Sequence, residues 1–152
     1  MVALEEEIGT PIEITGIYWY RGLTGGSSVE FDDFHVYMGY CAGDSLQTSF
    51  EENWLAGSRI HVFQREMVLL EVFPAEWFGF QLDSSFTYDG SGDLLFEVRW
   101  TGGRGSLQTF IDNQDPPYLC LKASTSTSSS GYITATRCQF MLEGTIPADP
   151  ME

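Results

Sequence analysis

The sequence predicts an all-β fold, a single β-sandwich of jelly-roll type with about eight strands and one short helical segment near 45–55. Three observations carry this. Segments rich in Ile, Val, Phe, Tyr and Trp recur about every 8–15 residues, with Gly, Ser and Thr between them. Several of these segments alternate apolar and polar side chains, the period-2 pattern of a half-buried strand. Finally, the chain of 152 residues contains no tandem repeat, linker or coiled-coil heptad, so residues 1–152 read as one domain.

In chain order, Met1–Glu7 is expected to be an extended arm or flexible end, like the tail Gly144–Glu152. Ile12–Tyr20 reads as the first strand, ended by the Gly/Ser-rich stretch Gly22–Ser28. In Phe31–Tyr40, Phe34, Val36 and Met38 alternate with His35, Tyr37 and Gly39. Ser45–Leu55 has helical texture, with Leu46, Phe50 and Leu55 on one side and Asp44 or Ser45 as N-cap. Strands follow at Arg59–Phe63, Met67–Phe73 and Glu76–Leu82, the last with Phe78, Phe80 and Leu82 on one face and Trp77 opposite. In Leu94–Trp100 the apolar Phe96, Val98 and Trp100 face the core, opposite the pair Glu97/Arg99. Thr101–Ser106 reads as a loop, and so does Asp112–Pro117. Tyr118–Lys122 and Tyr132–Phe140 flank a Ser/Thr tract and read as a hairpin. Folding about Ser129 sets Cys120 opposite Cys138, which predicts a disulfide; the alternative is two reduced, core-packed thiols. Cys41 has no evident partner, and the three cysteines lack metal-ligand spacing.

Charge excludes several functions. Seven Lys+Arg against 22 Asp+Glu leave a net charge of −15, a field that repels polyphosphate and anionic lipid. Nucleic-acid partners and membrane insertion are therefore not expected, and no apolar run is long enough to span a bilayer. Met1–Glu7 has neither the basic nor the apolar region of a signal peptide, so the chain reads as mature. The acidic clusters serve solubility, with a divalent cation at one of them as the alternative reading.

Candidate chemistry is sparse. Gly43-Asp44-Ser45-Leu46 spells a lipase-like nucleophile block, and Asp32 with His35 imitates its Asp/His pair. The order is reversed and the βαβ context is missing, so Ser45 is read as a cap and no catalytic residue is assigned. His35 and His61 fall in strands and are expected at surface or interstrand positions. Asp89, Ser91 and Asp93 place oxygens at i, i+2 and i+4 around two glycines, as at the start of a Ca²⁺ loop; an ordinary turn is the alternative. Trp77 and then Trp54 are the candidates for an exposed aromatic platform that binds sugar, against the alternative of core packing.

The segments Glu7-Ile-Gly, Ile14–Tyr18, Phe31–Gly39 and above all Phe86–Trp100 resemble a β-sandwich module that recurs in secreted and surface proteins of bacteria and archaea. The resemblance runs from about Glu7 to Gly102. It implies an extracellular, non-enzymatic, jelly-roll-like accessory domain and brings no catalytic residues with it. Such modules usually stand beside others, whereas this chain is a lone copy with a Cys-containing C-terminal hairpin. Two expectations follow. The first is a module for binding or adhesion at the cell surface, to glycan or protein. The second is a self-assembling subunit of a filament, surface layer or virus-like shell, whose partners are copies of itself.

Overall fold

The computed structural model describes residues 1–107, 109, 111–113, 118–123, 125 and 128–147. The chain is mostly β, with 61% of it in strands and 5% in helix, arranged in antiparallel sheets of which one curls into a half-barrel. Its elements are β1 (Val2–Ala3), α1 (Glu5–Ile8), β2 (Ile12–Tyr20), β3 (Ser27–Tyr40), a 3₁₀ turn (Glu51–Asn53), β4 (Ile60–Glu71), β5 (Trp77–Tyr88), β6 (Leu94–Arg99), β7 (Gly102–Leu107), β8 (Ile111–Asn113), β9 (Cys120–Lys122), β10 (Tyr132–Thr134), β11 (Thr136–Cys138) and β12 (Phe140–Thr145).

One sheet has the order β1-β6-β3-β4, with β7 also on β3; a second has the order β12-β2-β5. Alternation puts Phe34, Val36 and Met38 of β3 and Leu94 and Phe96 of β6 on the inner face of the first. Ile14, Ile17 and Trp19 of β2 and Phe86 and Tyr88 of β5 meet them from the second, and together they form the main core. A smaller cluster of Val2, Trp54, Leu95 and Leu119 lies apart from it.

Two seams join the sheets. Along the first, β4 runs beside β5, and Asp83 of β5 accepts from the Gln64 amide at 3.1 Å and the Arg65 guanidinium at 2.8 Å. At the second, Arg137 of β11 donates to both Glu7 carboxylate oxygens at 2.7 Å and to the Val2 carbonyl at 2.8 Å. The Arg137 guanidinium also lies 5.0 Å over the Phe140 ring, which packs in turn on Phe96 of the facing sheet.

The structure corrects several expectations. Met1–Glu7 is not a free arm: Val2 and Ala3 pair with Leu95 and Leu94, and the chain turns at once into α1. Arg59–Phe63 and Met67–Phe73 belong to one strand, β4. Ser45–Leu55 keeps only the 3₁₀ turn, because the buried Asn53 amide bonds the Gln47 N–H and the Gln47 and Ser49 carbonyls and closes an irregular loop. Thr101–Ser106 is largely strand, not loop. Gly103 and Gly105 there have φ of 149° and 81°, and a Cβ at either would strike the Glu30 or Ser28 carbonyl. Gly144 and Thr145 end β12, while 148–152 lie outside the described residues. Among the described residues no helix is long and apolar enough to cross a membrane.

Candidate functional site

Two outward sheet faces carry the polar and aromatic side chains of interest. On the β12-β2-β5 sheet the register stacks three outward rows: Glu143/Gly16/Gln81, Met141/Tyr18/Gly79, and Tyr20 beside Trp77. Inward rows of Phe140/Trp19/Phe78 and Leu142/Ile17/Phe80 alternate with them, so core burial fixes which residues face outward. The Tyr20 and Trp77 ring centroids lie 5.0 Å apart, and Trp77 is 45% exposed. Gly16 leaves room beneath the Tyr18 ring; a Cβ there would meet Tyr18 Cε2 at 2.9 Å. Gln81 Nε2 donates to the Tyr18 hydroxyl and, at 2.7 Å, to Glu143 Oε1. Further along, the Ser85 and Thr87 hydroxyls donate to Glu13 and hold its carboxyl below the usual range.

The outer face of the other sheet is ionic. Tyr37 of β3 pairs with His61 of β4 and Glu97 of β6, and His35 pairs with Arg99. A register shift between Val36 and Tyr37 brings His61 opposite Tyr37, and the two rings stack at 4.6 Å and 19°. His35 Nδ1 lies 2.9 Å from His61 Nε2, and His35 Nε2 lies 2.8 Å from Asp33 Oδ1. The ionised carboxylate only accepts, so His35 carries a proton on Nε2. In the neutral pair His35 Nδ1 is then a lone pair that accepts from His61 Nε2–H. Asp33 has φ of 51°, uncommon outside glycine, and neither ladder flanking β3 includes it. On the same face the Arg59 guanidinium lies 4.1 Å over the Tyr37 ring, and Glu97 is held between Arg59 and Arg99.

The expected site residues are scattered. Trp77 is exposed on the three-stranded sheet, whereas Trp54 is 8% exposed, bridged to Cys41 and packed with Val2, Leu95 and Leu119. That burial corrects the reading of Trp54 as a platform. Trp100, expected in the core, is 42% exposed because β6 stops at Arg99; its ring lies 4.9 Å from that of Phe31 at the margin. Asp89 Oδ1 accepts from the Ser91 N–H and hydroxyl, while Asp93 Oδ1 accepts from the Glu5 N–H at the start of α1. These carboxylates thus serve turns and chain ends. Among the described residues there is no group of three or more His, Cys, Asp or Glu that could hold a metal ion.

Cys120 and Cys138 are both free, which corrects the disulfide. The hairpin sets Cys120 opposite Thr134, and Cys138 belongs to another pair, opposite Ile111. Burial first, then Asp93, pushes the Cys41 thiol up to about 11, and burial also raises Cys120. Ser45 lines a pocket of about 210 Å³ with Cys41, Asn53 and Asp93, while His35 bonds Asp33 rather than Asp32, so the lipase-like letters form no triad.

The sequence reading missed Tyr18, Tyr20 and Gln81 as neighbours of Trp77, and Asp33 as the partner of His35. The i, i+2 spacing of Asp33 and His35 was a usable signal; the approach of His61 was not, since it depends on register. No protein-family model, curated protein or solved structure matches the chain.

Proposed function

We propose that this chain is a non-catalytic binding module of jelly-roll type that works outside the cell and holds glycan on the outer face of the β12-β2-β5 sheet. One observation carries the reading: the ring pair of exposed Trp77 and half-buried Tyr20 shares a face with the hydrogen-bonded Tyr18, one outward row away, and Gln81 and Glu143, two rows away. Sugars present apolar C–H faces that pack on aromatic rings and a rim of hydroxyls that bond amides and carboxylates, so they need both kinds of surface side by side. The resemblance of Phe86–Trp100 to surface-protein modules supports the extracellular setting. Glycan-array screening followed by calorimetry tests it. Trp77→Ala is expected to weaken binding of the selected glycan at least about tenfold with the fold intact. Absence of any glycan ligand, or affinity indifferent to Trp77→Ala, refutes the reading.

A second reading, a self-assembling structural subunit, draws on Met67 and Leu69, exposed two residues apart on β4. Under it, acid or divalent cations relieve the net charge of −15 and promote assembly, which light scattering would follow.

A further inference from the structure

The strongest unassigned arrangement is the histidine pair on the five-stranded sheet, which lies on a different face from the glycan surface and does not depend on it. Two imidazole nitrogens 2.9 Å apart are joined in the neutral state by a single proton, the one on His61 Nε2. When His61 carries that proton on Nδ1 instead, both nitrogens present lone pairs that a bridging cation can take up. We propose that His35 Nδ1 and His61 Nε2 are a two-point site for a first-row transition-metal ion of the tetragonal class, Ni²⁺ or Cu²⁺.

Three features support this ligand class. The first is the separation. With metal–nitrogen bonds of about 2.05 Å, two ligands at 90° stand about 2.9 Å apart, whereas tetrahedral ligands stand about 3.3 Å apart. The observed 2.9 Å, the length of the hydrogen bond that joins the rings, equals the spacing of the square or octahedral angle, so a metal could replace the proton with the two nitrogens kept at that distance. Closing on a metal at that angle brings the ring centroids to about 4.5 Å from the present 5.0 Å, a small swing of two side chains.

The second feature is Asp33. Its carboxylate accepts the hydrogen bond from His35 Nε2–H, which fixes the tautomer that leaves Nδ1 as the ligating lone pair. This carboxylate–histidine arrangement is the usual support of a metal-bound imidazole, and here it comes from a residue with φ of 51°. The third is charge. Arg59 and Arg99 lie over the Tyr37 ring beside the pair, but Glu51 and Glu97 pair with them and Asp33 bonds His35, so the local field does not oppose a divalent cation. Tyr37 stacks on both rings and limits their rotation, and exposed His61 leaves the remaining coordination positions to water.

The test is calorimetric titration of the full chain with Ni²⁺, which thiols do not reduce, together with ¹H–¹⁵N NMR to locate paramagnetic broadening. One ion per chain is expected, with broadening centred on His35, Tyr37 and His61. His61→Gln, on an exposed side chain, is expected to weaken binding at least tenfold, and Asp33→Asn about 10–100-fold. The proposal fails if wild-type protein binds no stoichiometric Ni²⁺, or if His61→Gln binds as well as wild type. Broadening centred on Cys41 and Cys120 instead would equally overturn it. Should His61→Gln not fold, the broadening map of the wild type decides alone.

Discussion

The two seams that join the sheets use the same chemistry, a guanidinium against a carboxylate, in opposite surroundings. Arg65 and Asp83 of the β4/β5 seam have side chains 48% and 45% exposed. Arg137 of the other seam is 7% exposed, stacked on Phe140 and bonded to both oxygens of Glu7. An exposed pair exchanges water for a partner at little net gain, whereas a buried one becomes costly as soon as either member is missing. The lesson is that Arg137 is a structural commitment, while Arg65 mainly decorates a seam already held by packing.

The comparison can be broken most severely from beneath. Phe96 is fully buried and meets Phe140, the ring on which Arg137 rests, so Phe96→Ala is expected to cost about 3–5 kcal/mol in urea unfolding. A smaller loss there would mean that the buried seam stands without its apolar floor. Next, Arg137→Met strands Glu7 and the Val2 carbonyl and should cost about 2–3 kcal/mol, below the fully buried range because Glu7 is partly exposed.

Acid sharpens the contrast. The hydrogen bond from Arg137 holds the Glu7 carboxyl below its ordinary 4.5. Its stabilisation is therefore complete above that value and disappears as pH falls through the lower folded value; Glu7→Gln should abolish this acid-dependent component of stability. Asp83 shifts the same way, chiefly through Arg65, but as an exposed group it is screened by salt. The smallest effect is expected of Asp83→Asn, whose unfolding midpoint should match wild type in 0.15 M salt. A clear loss would show that the open seam is coupled to the fold after all.

Much of the architecture was legible. Ile12–Tyr20 is β2 to the residue, and the inward triplet Phe34, Val36 and Met38 is buried, because period-2 alternation reports directly on one wet and one dry face. Glycine misled the reading of 101–106: it punctuates turns, yet in β7 it lets two backbones approach closely. Trp54 and Trp100 exchanged places because burial at a strand end depends on what packs over it, which no local pattern encodes. Of the outward faces, Trp77 was visible from its own strand. Tyr20 beside it, and His61 beside His35, required the pairing of strands distant in sequence, and the second also required a register shift.

Asp33 also has a mechanical meaning. The ladders of β3 to β4 and to the β6–β7 run both resume beyond it with unchanged register, so residues 27–32 with 67–71 and 102–107 form a wing that β3 joins through its one unladdered residue, while β4 runs on through Glu66. A tilt of the wing about that point would turn the backbone of residue 33. The same torsion turns the carboxylate that holds His35, so a load applied to the wing tip would be transmitted to the imidazole pair as a rotation of its anchor.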